Sequence, residues 1–465
     1  VSAGYGTRAS QRSVQDADRV HDILGIGFGP SNLALAIAAM EHNATPGAPQ
    51  VSVGFLEKQR TFGWHTGMLL DGATMQVSFL KDLATLRNPV SPFGFLSYLH
   101  AKGRLVDFIN HKVLYPSRVE FHDYLRWCAD QLDPLVDYGY EAVSARPVEE
   151  DGEVVRFEVV ARDWHTGRLV ERSGRNLVMA PGLRRRLPEG VVESKRVWHS
   201  ADLLKRIEEF DGRTPRRFVV LGAGQSAAEV THHLYHAFPS AEVCAVFSRY
   251  GYSQSDDSPL ANRIFDPAAV DDFFGASEQA KADLQRYHSN TNYSVVDVDL
   301  IEELYRSWYL ERVRNHNRLR LLNMTTLLDV ADKGEEIEVT LRHAPTEATE
   351  TLRADLLVCA TGYSPADARP LLGDVRRLLW TDERGLPRVG RDYRIAADER
   401  VVGGIYLCGG TEHSHGITSS LLSNAAVRAG EILASVLDRA EGRPHRAETR
   451  PERPLTVPVA SESAR

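Results

Sequence analysis

Only four cysteines occur in the 465 residues, Cys128, Cys244, Cys359 and Cys408, and no two of them form a C-x-x-C pair. That absence excludes a paired-cysteine zinc clasp and a dithiol that relays electrons, and buried thiols in a reducing compartment fit better. No long basic run occurs either, and 55 Lys plus Arg against 63 Asp plus Glu leave a formal balance of −8. Nucleic-acid binding by phosphate neutralisation is therefore not expected. Apolar stretches such as 33–40 fall far short of the roughly 20 residues that span a bilayer, and no secretory pattern opens the chain. The expectation is a soluble cytoplasmic protein without a membrane partner.

What is present is ordinary globular usage, 43% hydrophobic and 25% charged, on a chain long enough for two or three packed units. Residues 1–18 lack apolar periodicity and residues 441–465 mix Pro, Arg, Glu and Ser, so both ends are expected to be disordered. Between them, apolar runs at 22–27, 51–57, 176–180, 217–222, 242–247, 356–360 and 404–408 read as strands interleaved with helical patterns. The expected fold class is α/β, with parallel sheets covered on both faces. From 253 to 292 the pattern turns polar, aromatic and Pro-containing, which reads as an insertion with its own helices.

Two strand–turn–helix units of the same shape begin about 195 residues apart, at Asp22 and Arg217. In DILGIGFGPSN, Gly27 allows the tight turn and Gly29 lets backbone N–H groups approach a pyrophosphate at the helix N-terminus. Asn32 stands where the fingerprint has its third Gly, a departure from the rule for close helix–strand packing. The next strand ends at Glu57, whose carboxylate can accept hydrogen bonds from a ribose diol. In VVLGAGQSAAEV, Gly222, Gly224 and Ala227 keep the G-x-G-x-x-A register. The strand after it ends in Ser248-Arg249 rather than an acid, and a cation there favours a 2′-phosphate, hence NADPH over NADH.

Two dinucleotide sites on one chain imply two cofactors, and a flavin reduced by a nicotinamide is the natural pairing. Ala360-Thr361-Gly362-Tyr363, ending a strand in a Gly turn, agrees with it. With no dithiol, the electrons pass to another acceptor or to oxygen, and the glycine turns do not separate these outcomes.

The segments MQVSFLKDLATLRNP, YPSRVEFHDYL, SDDSPLANRIFDP and NTNYSVVD do separate them. Through them the chain, from about 22 to about 430, resembles the microbial N-hydroxylating flavoprotein monooxygenases, the ornithine and lysine N-hydroxylases of siderophore biosynthesis, and the ornithine enzymes most. The resemblance implies FAD reduced by NADPH, oxygen captured as a hydroperoxyflavin that bound NADP protects, and attack by the side-chain amine of L-ornithine on its distal oxygen. It also implies that flavin and NADP carry the chemistry without a catalytic side chain, that no metal takes part, and that the protein is a homotetramer.

By the same resemblance, Lys81, Asn262 and Asn292 hold the amino acid, with Ser423 in SLLS a further contact. Lys81 can pair with the α-carboxylate, and the neutral amides can orient an amine without locking a proton on it. Gln76 and Arg118 match positions near the flavin ring, and Trp64 and His65 line the cofactor, although Arg118 could equally be a structural ion-pair partner. Gln225, Ser226 and Tyr293 fall on the nicotinamide side, with Arg249 the candidate for the 2′-phosphate. His413 and His415 have i, i+2 spacing but no convincing third ligand, so no metal site is expected. The implied organisation is an FAD domain (19–185 and 366–440), an NADPH domain (186–250 and 294–365) and a substrate insertion (251–293). L-Lysine or a diamine as substrate, a sulfur- or ketone-oxidising flavoenzyme, an NADPH oxidase or diaphorase, and a non-enzymatic nucleotide sensor remain as alternatives.

Overall fold

A computed structural model of the chain describes residues 19–210, 214–256, 258–292 and 294–442, with backbone alone for 289–292. The expected disorder of 1–18 and 443–465 lies outside the described residues; 441 and 442 form the turn after the last helix.

The first sheet is built on β1 (Val20–Ile26), flanked in parallel by β2 (Val53–Glu57) and β6 (Leu169–Met179). β3 (Val136–Tyr138) extends one edge in parallel, while β4 (Tyr140–Glu150) and β5 (Glu153–Asp163) extend the other as an antiparallel hairpin onto β6. This is a correction to the expected all-parallel sheet: the sheet is mixed. Val154, Phe157, Val159 and Ala161 of β5 are buried while the residues between them are not, a one-sided alternation suited to antiparallel pairing. The runs read as strands from sequence were the continuous apolar ones, which mark strands buried on both faces.

Beyond β6 the chain forms β7 (Leu183–Arg185) and enters a second sheet made of β8 (Val197–His199), β9 (Arg217–Leu221), β10 (Glu242–Val246) and β11 (Leu319–Leu322). A separate antiparallel sheet follows, β12 (Thr325–Asp332), β13 (Ile337–His343) and β14 (Thr349–Ala354). The chain then returns to the second sheet as β15 (Leu356–Cys359), parallel to both β9 and β8. β16 (Tyr363–Pro365) pairs antiparallel with β7, so the outgoing and returning connections form one two-stranded ribbon. Finally β17 (Ile405–Leu407) joins β6 in the first sheet.

The helix Pro30–Asn43 is buried along 32–39, because the first sheet and the helix Arg118–Gln131 pack on it together with the helix Ala425–Ala440. Continuous burial explains its run of Leu, Ile and Ala without an amphipathic period. All four cysteines are buried and free, and no described helix is long and apolar enough to cross a membrane.

Candidate functional site

At the first glycine turn, Gly27 has φ 83°, and a Cβ there would lie 2.3 Å from the Ala180 carbonyl oxygen. The turn is therefore closed to any side chain. Gly29 is different: a Cβ there would meet nothing within 4 Å, so its hydrogen faces open space at the start of the helix. No side chain caps that helix and its first turn holds no acid, leaving N–H groups free for an anion. Asn32 is fully buried and donates to the Gly27 carbonyl oxygen at 2.7 Å. The close approach that a third glycine would supply is provided from the strand, where a Cβ on Gly25 would fall 2.9 Å from Asn32 Nδ2. Glu57 turns its buried carboxylate back onto this turn, accepting from the Phe28 N–H at 2.6 Å and the Gln59 N–H at 2.8 Å.

Sequence reading missed Arg428. It is buried in the helix Ala425–Ala440, donates to Ser31 Oγ at 3.1 Å and to the Ser419 carbonyl, and has no carboxylate partner among the described residues. A buried cation without a counter-charge, beside an uncapped helix N-terminus, suits a diphosphate. A groove of about 410 Å3 beyond Glu57, lined among others by Lys58, Arg60 and Lys205, adds three cations to the same approach. The donor set at this turn thus fits FAD.

Trp64 and His65 lie next to that groove. His65 has left-handed backbone (φ 48°), and its ring packs against Trp64 at 4.8 Å and Tyr363 at 5.7 Å. Burial, reinforced by the Arg118 charge, pushes its pKa down to about 4. Tyr363 also meets His199 at 4.9 Å, so the ATGY turn contributes a wall to the same region.

The second glycine turn repeats the first with tighter surroundings. Gly222 (φ 149°) would place a Cβ 2.3 Å from the Ala360 carbonyl oxygen, and one on Gly224 would lie 3.2 Å from Ser294 Cα. The helix Gln225–Ala237 is uncapped and its first turn, which includes Ser226, holds no acid, so this turn too can hold phosphate. Arg249 donates to the Ser294 carbonyl oxygen at 2.8 Å and to Ser253 Oγ at 3.2 Å.

At the start of the helix after the second turn lies a polar network. Arg118 makes a two-pronged ion pair with Glu229 and also donates to the Met68 carbonyl oxygen at 3.0 Å. Gln225 donates to Glu229 at 3.1 Å and to Asp297 at 3.0 Å, and Gln76 donates to the other Asp297 oxygen at 3.1 Å. Burial and the nearby Glu229 raise the Asp297 pKa against the pull of Gln76 and Arg118. The sequence motifs assign Gln76 and Arg118 to one cofactor and Gln225 to the other. They miss Glu229 and Asp297, which join them, although an acid one helical turn after Gln225 on an apolar helix face is a visible signal.

The remaining candidates sit on three segments. Lys81 is half-buried in a loop, not on a helix, and has no ionic partner among the described residues. Its neighbour Asp82 is buried and fixes the loop by accepting from the Ala84, Thr85 and Phe95 N–H groups. Arg87 of the same loop pairs with Glu41 at 2.7 Å and packs against Gly430, in the helix that follows Ser423. Asn262 lies in the turn Ala261–Phe265, tied to the segment preceding Ser423 by Thr418 donating to the Ile264 carbonyl oxygen at 2.6 Å. Ser423 is buried. Asn292 ends the helix Glu278–Asn292; its side chain, and all of Tyr293, lie outside the described residues. His413 and His415 each turn Nε2 toward a backbone carbonyl, of Pro387 and Arg391.

Residues 19–365 match the family model described as L-lysine 6-monooxygenase/L-ornithine 5-monooxygenase. The chain is 38% identical over 448 residues to the L-ornithine N(5)-monooxygenase of Emericella nidulans, covering 90% of each protein. It is 44% identical to the ornithine N-hydroxylase of Kutzneria sp. 744, solved with reduced FAD, NADP+ and L-ornithine, with TM-score 0.86 over 91% of this chain and all of that one. The L-lysine 6-monooxygenase of Pseudomonas syringae is less similar, at 30% identity and TM-score 0.78 over 90% of this chain and 99% of that one.

Proposed function

The chain belongs to the L-lysine 6-monooxygenase/L-ornithine 5-monooxygenase family, and from that premise we propose that it is an FAD- and NADPH-dependent enzyme that hydroxylates the side-chain amine of L-ornithine. The likeness to ornithine N-hydroxylases across nine-tenths of the chain carries this reading, and the weaker likeness to a lysine enzyme favours ornithine over lysine. Amine, oxygen and NADPH with one proton give the hydroxylamine, NADP+ and water. Hydroxamate siderophores are the natural-product class this product serves.

FAD bound at the first turn and reduced by NADPH supplies the oxygen activation. The residues of this chain do the rest. Gly27, Gly29, Asn32 and Glu57 shape the FAD turn, and Arg428 supplies positive charge beside it. Gly222, Gly224, Gln225 and Ser226 shape the NADPH turn, with Arg249 near it, and Tyr293 is a further NADPH contact by the family resemblance. Trp64, His65, Gln76 and Arg118 border the space between the two turns.

An ammonium with an ordinary pKa of about 10.4 must give up its proton before its nitrogen can react, at a cost of about 4 kcal/mol near pH 7.4. Asn262 and Asn292 orient that nitrogen through neutral amides, which do not hold the proton in place as a carboxylate would. Lys81 holds the α-carboxylate by a charge-assisted hydrogen bond, and Ser423 is a further contact to the amino acid. Residues 19–185 with 366–440 form the FAD unit, 186–250 with 294–365 the NADPH unit, and 251–293 the substrate insertion. The same reading includes a homotetramer and a cytoplasmic location, the latter supported by four buried, unpaired cysteines.

The test supplies FAD-loaded protein with NADPH, air and, in separate reactions, L-ornithine, L-lysine or cadaverine. Hydroxylamine should form with L-ornithine in step with NADPH consumption. NADPH consumption matched by peroxide, with no hydroxylated amine from any of the three, would overturn the reading in favour of an oxidase.

A further inference from the structure

His232 and His236 stand one turn apart on the same face of the helix Gln225–Ala237, with ring centroids 4.4 Å apart. The neighbouring helix Val298–Val313 brings Glu303 to them, its Oε1 2.9 Å from His232 Nε2. One ligand atom from each of the three side chains lies within 4.8 Å of the other two. The His232 nitrogen is shielded from solvent and, although close to the carboxylate, has no aligned hydrogen bond.

We propose that His232, His236 and Glu303 form a binding site for one divalent transition-metal ion of the Zn2+ class. Two imidazoles and a carboxylate are a donor set that Zn2+ takes, with water as the fourth ligand. Metal–ligand bonds of about 2.0–2.2 Å require ligand atoms about 3.3 Å apart, so the His232–Glu303 pair, at 2.9 Å, opens slightly while the wider separations, up to 4.8 Å, close by rotamer changes. His236 and Glu303 are exposed enough to make them. Burial and the nearby His232 and Arg318 hold the His236 pKa below its ordinary value against the pull of Glu303, which favours the neutral imidazole that binds metal. Hard cations such as Mg2+, which prefer all-oxygen shells, do not suit this set.

The position gives the site a consequence. The two helices it would join start at Gln225 and, through its N-cap, at Asp297, which are bonded to each other and, through Asp297, to Gln76. A bound ion staples those helices together along their length and stabilises the nucleotide-binding half by mass action.

The experiment uses tag-free, FAD-loaded protein stripped with chelator, titrated with ZnCl2 by calorimetry and followed by thermal unfolding and zinc-edge X-ray absorption. Expected are one Zn2+ per chain, a shell of nitrogen and oxygen only, a rise in Tm with added Zn2+ and no response to MgCl2. His236→Ala and Glu303→Gln should each weaken binding by at least tenfold, since even changes to groups supporting a ligand cost about 10–100-fold. NADPH-driven flavin reduction without metal should be unchanged in both. Zn2+ binding equal to wild type in both variants, a sulfur-containing shell, or no binding at one equivalent would each overturn the proposal.

Discussion

Arg118 and Glu229, more than a hundred residues apart in sequence, form a buried two-pronged ion pair at 2.6 and 2.8 Å. Arg118 opens the helix Arg118–Gln131 on the flavin side, while Glu229 lies in the helix that follows the second glycine turn. Losing one partner strands the other charge in a buried setting, which typically costs about 3–5 kcal/mol. Glu229→Ala and Arg118→Ala should each lower Tm clearly, and the double variant should lose much less than their sum. A double-mutant cycle by thermal unfolding, with NADPH-driven flavin reduction measured alongside, checks this; strict additivity would mean the pair does not couple the two halves.

For Lys81, the expected effect is on substrate alone. A hydrogen bond to a charged group contributes about 1.5–3 kcal/mol, so Lys81→Ala should raise the KM for L-ornithine by roughly 10- to 150-fold. Flavin reduction by NADPH should stay within about twofold of wild type, because Lys81 has no ionic partner among the described residues. Steady-state and single-turnover kinetics together distinguish this from a general loss of structure.

The two glycines of the first turn should fail in opposite ways. Gly29→Ala enters open space at an allowed φ of −80°, so the apoprotein should keep its Tm while the bound flavin per chain falls. Gly27→Ala meets a backbone oxygen at left-handed φ, costing at least about 1–2 kcal/mol in backbone strain and destabilising apoprotein and holoprotein alike. The ratio of flavin to protein absorbance and the Tm of both forms provide the check.

His65 gives stability an acid-side slope. Its folded pKa of about 4 lies below the unfolded value near 6.5, so between these values the unfolded chain binds the extra proton. Its contribution is complete above about pH 6.5 and is lost progressively as pH falls toward 4. Asn tolerates the left-handed backbone that His65 adopts, so His65→Asn should flatten the Tm-against-pH curve in that window. An unchanged slope would remove His65 as its source.

Much of the scaffold could be read before the structure, and for one reason. Strands buried on both faces, such as β1, β9 and β15, leave continuous apolar runs, and glycines with φ near +80° leave gaps that no other residue fills. The β4–β5 hairpin and the β12–β14 sheet escaped because one face of each is wet and their charged residues interrupt the pattern. Site residues followed the same division. Lys81, Asn262 and Ser423 stand out through sequence motifs, whereas the bonds of Glu229 to Arg118, of Asp297 to Gln76 and Gln225, and of Arg428 to Ser31 reach across dozens to hundreds of positions, and no local period encodes a distant partner; only the four-residue step from Gln225 to Glu229 is local. Arg249 shows the converse: a cation at the expected strand end whose guanidinium is directed onto the Ser294 backbone.

The two crossings between the sheets, β7 and β16, are zipped edge to edge from Leu183–Pro365 to Arg185–Tyr363. Neither crossing can swivel without carrying its twin, which removes the sliding and twisting freedoms that two loose tethers would allow. A displacement of one crossing is therefore passed directly to the other, and Tyr363, paired with Arg185 inside the ribbon, carries it to the aromatic wall it forms with His65 and His199.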